Sequence, residues 1–77
     1  MNDVNEQERR LARAARHVYA GRLIVEVQRL RVAGLAAEGK PTSVAEYLLQ
    51  EFVKTLELLE RCESQHRTIV IDESFSL

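Results

Sequence analysis

Two histidines and one cysteine are the side chains of this 77-residue chain best suited to site chemistry. His17 lies in the first helical pattern, whereas Cys62 and His66 lie near the end of the second. If the two segments pack antiparallel, the three side chains meet, and imidazole and thiolate groups are zinc ligands. A structural zinc site needs a fuller ligand set, so we predict no metal and no other cofactor. Cys62 is predicted to be a small buried hydrophobe beside an apolar stripe.

The remaining polar residues form no catalytic pattern. A nucleophilic cysteine needs a base and a group that orients the base. The glutamates from Glu46 to Glu63 make no paired-carboxylate motif, and no glycine-rich phosphate loop is present. We therefore predict that the chain is not an enzyme and has no catalytic residues, and that these glutamates form a solvated helix face.

The arginines of the first half are the strongest functional signal. Arg9, Arg13 and Arg16 share one helical face, and Arg22 and Arg29 continue at seven-residue spacing on a neighbouring face. In a dimer these residues can form a stripe that contacts an acidic partner or nucleic-acid phosphates. The sequence pI near 6.1 and the lack of interleaved aromatic residues make nucleic acid the less favoured partner.

Charge is segregated along the chain. Residues 8–31 carry seven arginines and two glutamates, a net charge of +5, whereas residues 42–77 carry three basic and seven acidic residues, a net charge of −4. Opposite charges of this kind attract. We therefore expect the two halves to pair within a hairpin or between antiparallel subunits.

Two amphipathic helices, at about 4–37 and 43–65, are predicted to position these groups. Gly39 suits a left-handed helix end, Pro41 prevents continuation, and Thr42 or Ser43 begins the second helix. In the first helix apolar or small residues alternate at spacings of three and four, the pattern of helices that pack lengthwise. These positions are Val4, Leu11, Ala14, Val18, Gly21, Val25, Gln28, Val32 and Leu35.

The hairpin core is predicted where this seam meets the apolar stripe of the second helix. Gly21 has no side chain and so permits close approach of another helix, while Gln28 is a polar residue that sets the register. The predicted core residues are Val18, Val25, Val32, Leu35, Leu48, Leu49, Phe52, Leu56 and Leu59.

A second apolar stripe on the first helix, Leu23, Val27 and Leu30, requires another neighbour because a two-helix hairpin covers only one stripe. The chain also lacks an internal disulfide, so oligomerisation is the stabilising device that remains for so short a sequence. The predicted fold is all-α: a long antiparallel helical hairpin that forms a dimeric four-helix bundle, with a short extended C-terminal segment.

That C-terminal segment is predicted over residues 67–77, which leaves the hairpin in residues 1–66. Thr68 to Asp72 is rich in β-branched residues and is a strand candidate without a partner strand in the chain. Alternation would place Ile69 and Ile71 on one face, so both are predicted at the oligomer interface.

The stretch from His17 to Leu59 resembles a group of short bacterial proteins with a helical hairpin. The most specific part of the pattern is Gly39-x-x-Thr42-x-x-Ala45-Glu46-x-Leu48-Leu49-x-x-Phe52-x-x-Thr55-Leu56. The resemblance implies the hairpin fold and carries no activity.

The function predicted from these observations is a small non-enzymatic interaction or regulatory module that acts as a homo-oligomer. Its predicted partners are itself and a possible second protein; the alternative is an RNA-binding hairpin dimer that uses the arginine face. No apolar run approaches the roughly 20 residues of a membrane span, and the N-terminus lacks the basic start of a signal peptide. We therefore expect no membrane partner and a location in the bacterial cytoplasm.

Overall fold

The computed structural model describes residues 3–75, and over that range it consists of two α-helices. α1 spans Asp3–Ala37 and α2 spans Ser43–Phe75. They pack against each other along their length in a molecule that measures 60 × 16 × 14 Å. The predicted helical hairpin is confirmed. The side chain of Val4 and residues 76–77 of the predicted tail lie outside the described part.

The end of α1 is closed by a backbone motif that requires glycine. The Lys40 N–H donates to the Leu35 carbonyl at 2.9 Å, and the Gly39 N–H donates to the Ala36 carbonyl at 3.0 Å. Gly39 has a φ of +70°, the left-handed conformation that this motif needs and that glycine adopts without a Cβ clash. The predicted left-handed end at Gly39 is confirmed.

α2 begins directly after Pro41 and Thr42. The Glu46 N–H donates to the Thr42 carbonyl at 2.8 Å, which makes Thr42 the residue flanking the first turn. The Glu46 carboxylate lies in that first turn, where the positive end of the helix dipole stabilises it. The chain therefore reverses direction over five residues, and the helices become antiparallel neighbours.

The seam between the helices follows the predicted spacing on α1. Its most buried members there are Ala14, Val18, Val25 and Gln28, which alternate at steps of four, seven and three residues. Ala45 is the buried residue of α2 within the part of that helix whose side chains are described, 43–73. The half-buried seam residues are Leu11, Gly21, Val32, Leu35, Leu49, Phe52, Leu56, Leu59, Glu63, His66 and Val70.

One predicted core residue is misplaced. Leu48 is 38% exposed, because the seam of α2 runs through Ala45, Leu49 and Phe52 and leaves Leu48 on its flank. The prediction of Leu48 as a core residue is therefore wrong for the single hairpin.

Gly21 marks a close approach of the helices. A Cβ at this position would lie 3.2 Å from Leu56 Cδ1 and 3.3 Å from Leu59 Cδ1, tighter than ordinary van der Waals contact. The predicted role of Gly21 in close packing is confirmed. Gly21 also divides the seam into two parts, which we call the loop half, toward the interhelix loop, and the open half, toward the free ends of the helices.

The predicted strand over Thr68–Asp72 is wrong, because α2 continues through it to Phe75. With no strand partner in the described chain, a helix satisfies the backbone groups internally. β-branched residues lower helix propensity only by roughly 0.7 kcal/mol each at most. Thr68 Oγ1 donates to the Ser64 carbonyl at 3.1 Å, and Val70 continues the seam.

The same correction applies to Ile69 and Ile71. Residues two apart lie on nearly opposite faces of a helix, so these side chains do not form one pair. Ile69 is 40% exposed and Ile71 is 47% exposed in the hairpin. Ile69 lies seven residues after Cys62 on one side of α2, and Ile71 points away from that side.

Candidate functional site

A continuous apolar groove runs along one long side of the hairpin. It consists of two cavities of about 400 and 270 Å³ that share Ile24 of α1 and Phe52 of α2. We call it the apolar groove; its apolar lining residues are Ala20, Gly21, Leu23, Ile24, Val27, Phe52, Leu56 and Leu59. His17, Thr55, Gln28 and Arg31 add polar atoms to the lining, which is mostly hydrocarbon.

The second apolar stripe of α1 lies in and beside this groove. Leu23, Ile24 and Val27 are 51%, 52% and 55% exposed although each lines it. Leu30 lies three residues beyond Val27, on the outer edge of the stripe, and is also exposed. Such a row of large apolar side chains at helical spacing is a surface that another helix can cover.

The opposite long side is charged. Arg22 of α1 and Glu60 of α2 form an ion pair across the helices, with 3.1 Å between Nη2 and Oε2. A shallow depression on this side is lined by Arg29, Gln50, Val53, Lys54 and Glu57, together with Leu49. The Arg22–Glu60 pair joins the basic half to the acidic half, whereas five further ion pairs among the described residues join residues two to four positions apart.

The five predicted contact arginines do not form one stripe in the single hairpin. Arg22 is held by Glu60, and Arg29 lies in the charged depression. Arg9 is paired with Glu6 of its own helix at 3.4 Å. Arg13 and Arg16 are exposed, and among the described residues neither is paired with a carboxylate.

A pocket of about 260 Å³ lies on the groove side near the free ends of the helices. We call it the open-end pocket; its lining residues are Arg10, Arg13, Ala14, His17, Leu59, Cys62 and His66. His17 and Leu59 also line the apolar groove, so the two cavities adjoin. His17, Cys62 and His66 therefore line the same pocket, as the antiparallel pairing predicts.

The chemistry of this pocket differs from the metal site considered above. Among residues 3–75, no three His, Cys, Asp or Glu side chains are grouped so as to hold a metal ion. Cys62 is exposed, so its prediction as a buried hydrophobe is wrong. Arg10 was absent from the predicted contacts, although its spacing of three and seven residues from Arg13 and His17 places it on the same side.

Polar atoms in the seam are satisfied at one end and not at the other. Gln28, 2% exposed, donates from Nε2 to the Ala45 carbonyl at 2.8 Å, and Arg31 donates to Gln28 Oε1 at 3.1 Å. Toward the free ends, Gln7 Oε1 and His66 Nδ1 are buried without a hydrogen-bond partner. The sequence singled out Gln28 but not Arg31; a basic residue three positions after a seam glutamine was the available signal.

No protein-family model, curated protein or solved structure matches this chain. The resemblance of residues 17–59 to short bacterial hairpin proteins stays a prediction. Neither helix, over the part of the chain that the structure describes, has the length and apolar character needed to cross a membrane.

Proposed function

We propose that the protein is a small non-enzymatic interaction module that acts as a homodimer, with a second copy seated on the apolar groove. The observation that carries the proposal is the amount of surface that a single hairpin leaves exposed. A folded monomer of 8.8 kDa typically exposes roughly 4,800 Å². This hairpin exposes 5912 Å², an excess of roughly 1,100 Å².

The excess is of the size that a dimer interface removes. A stable interface buries about 800 Å² on each partner. One long side of the hairpin, 60 Å by 16 Å, offers roughly 960 Å² in projection. A second copy laid along the groove therefore fits the length and the area of the exposed side.

We propose a second copy of the chain as the molecule that covers the groove, because the groove side is apolar and a single hairpin buries few side chains. Five side chains among the described residues are buried, three of them Ala14, Val18 and Val25. A core this small stabilises little by itself. Two hairpins joined groove to groove produce a four-helix bundle in which Leu23, Ile24 and Val27 become interior residues.

The rest of the proposal rests on the sequence. The exposed lone thiol of Cys62 suits a reducing compartment, and we propose the bacterial cytoplasm. We propose an interaction or regulatory role because the sequence has no catalytic pattern and the apolar groove has the area to accept a second copy. The alternative function is RNA binding through exposed arginines. A titration with single-stranded RNA of the native chain and of its arginine variants tests this alternative.

The test compares two glutamate substitutions on α1. Ile24→Glu places a charge in the groove, whereas Tyr19→Glu changes an exposed residue of α1 that does not line the groove. Light scattering across a concentration series should give twice 8.8 kDa for the native chain. Ile24→Glu should raise the dimer dissociation constant at least about tenfold, because a two-fold interface contains the charge twice.

Tyr19→Glu is the matched control and should change the dissociation constant less than about twofold, as expected for a residue outside the interface. A native chain that stays at 8.8 kDa and melts cooperatively at a midpoint independent of concentration would overturn the proposal. Equal weakening by both variants would show that the dimer does not use the groove.

A further inference from the structure

The open-end pocket gathers basic side chains from both helices. Arg10, Arg13 and His17 are spaced by three and four residues on α1, so they point to the same side. The antiparallel pairing brings His66 of α2 beside them. No carboxylate lies among the residues that line the pocket.

The acidic half of the chain does not neutralise this cluster. Glu63, the acidic residue of α2 closest in sequence to His66, forms an ion pair with Arg67 at 3.3 Å. Glu6 approaches Arg10 through Nε at 3.4 Å, which leaves the terminal N–H groups of that guanidinium for other acceptors. Arg13 is paired with no carboxylate among the described residues.

His66 adds an unmet hydrogen-bonding need. Its Nδ1 is buried without a partner although the ring lines the pocket. A buried polar atom left in that state costs roughly 1–3 kcal/mol. Rotation of the ring about the Cβ–Cγ bond exchanges Nδ1 with a carbon, so an acceptor in the pocket can be met by an imidazole N–H.

We propose that the open-end pocket binds a small oxyanion, the phosphate or carboxylate group of a small molecule. The planar fork of Arg13 suits two-point binding of such a group, with Arg10 and the two imidazoles as further donors. Ala14 and Leu59 give the pocket an apolar wall, and about 260 Å³ leaves space for a short apolar body beside the anion. This proposal goes beyond self-association, and because the pocket shares His17 and Leu59 with the apolar groove, a second copy seated on the groove would border the anion site.

The test follows the imidazole C–H resonances of the full chain by NMR while inorganic phosphate is added at fixed pH. Sodium chloride keeps the ionic strength constant, and His17→Gln and His66→Gln variants assign the signals. Both signals should shift and saturate at millimolar phosphate, an affinity typical of an isolated anion site. Benzoate, titrated separately, supplies a carboxylate that carries an apolar body and so distinguishes the two sources of the anion.

Two arginine variants distinguish phosphate binding in the open-end pocket from general electrostatic attraction of phosphate to the basic surface. Arg13→Gln should weaken the apparent phosphate affinity about tenfold, because it removes the fork. Arg16→Gln removes an exposed arginine that does not line the pocket, and it should leave the affinity unchanged. Arg10→Gln gives a second pocket variant, and circular dichroism confirms that each variant keeps its helical content.

The outcomes are distinct from those of the dimer test, because chemical shifts and molecular mass are measured separately. Shifts that rise linearly with phosphate, or that chloride reproduces at the same ionic strength, would overturn the proposal. Equal losses in the Arg13 and Arg16 variants would overturn it as well. A single-stranded RNA that binds more tightly than phosphate and loses affinity in both arginine variants would favour the nucleic-acid alternative instead.

Discussion

The two halves of the seam, divided at Gly21, treat buried polar groups in opposite ways. In the loop half, Gln28 is 2% exposed and both ends of its amide are bonded, to the Ala45 carbonyl and to Arg31. In the open half, Gln7 Oε1 and His66 Nδ1 are buried without partners. Near the loop, the two helices therefore contain a buried amide that is hydrogen-bonded at both ends; we call Gln28 with these two bonds the polar clamp. Near the free ends they contain buried polar atoms without hydrogen-bond partners.

The difference shows what a polar residue does in a helix seam. A fully bonded amide fixes the register, because sliding α2 by one turn would remove the Ala45 carbonyl from Gln28 Nε2. An imidazole nitrogen that is buried without a partner fixes no register and leaves free energy that a hydrogen-bonding ligand can recover. The loop half therefore fixes the register of the hairpin, and the open half carries the unpartnered polar atoms from which the oxyanion proposal is argued.

The largest expected effect is the loss of the clamp. Gln28→Glu keeps the shape of the side chain but replaces the donor to the Ala45 carbonyl with an oxygen, while Arg31 still pairs with the other oxygen. We expect the free energy of unfolding to fall by about 3 kcal/mol at neutral pH, since a buried carboxylate then faces a carbonyl. Urea denaturation at one protein concentration measures it.

The pH dependence of this variant gives a second check. The exposed Arg31 lowers the pKa of the introduced carboxyl, whereas burial and the facing carbonyl raise it by more, so the folded pKa lies above the unfolded value of about 4.3. The penalty is then full above the folded pKa and disappears below the unfolded one. The difference from the native chain should therefore shrink as the pH falls. A penalty that stays constant down to pH about 4 would contradict a buried, donor-deprived carboxylate.

The next largest effect is the change in the free energy of unfolding when a polar seam residue is replaced by leucine, and we expect it to have opposite signs in the two halves. His66→Leu removes an unpartnered Nδ1 from a half-buried position and should raise the free energy of unfolding by about 1 kcal/mol. Gln28→Leu is the matched change in the loop half and should lower it by about 1 kcal/mol, because two hydrogen bonds are lost. Thermal midpoints should move apart by roughly 8–16 °C. Shifts of the same sign would remove the distinction between the halves.

The loop half was the more predictable from sequence. Spacing alone identified Val25 and Gln28 on the seam, because a packed helix repeats its contacts every three or four residues. Leu48 was misplaced because the Val44–Leu49 stretch offers apolar residues on adjacent faces, and only the contact with Gln28 fixes which face turns inward. Rotation about a helix axis is a tertiary property that a periodic pattern leaves open.

The open half was predicted less well because its local signals conflict. The composition of Thr68–Asp72 favours a strand, but a lone strand has no partner for its backbone hydrogen bonds. The segment is helical because a helix forms these hydrogen bonds within itself. The meeting of His17 with His66 followed from antiparallel topology, whereas the pocket's arginine content required the register. Arg10 and Arg13 line the pocket because α1 and α2 continue about equally far from Gly21 toward the free ends, so that α2 lies beside this part of α1.

The smallest expected effect lies on the charged side, at the boundary between the halves. Arg22 and Glu60 are 62% and 41% exposed at the side chain, so water and salt screen their ion pair. A double-mutant cycle with Arg22→Gln and Glu60→Gln should give a coupling free energy of about 0.2–1 kcal/mol that decreases in 1 M salt. A coupling above about 2 kcal/mol that salt does not change would mean that the pair is desolvated. The charged side, rather than the apolar groove, would then be the side covered by a second copy.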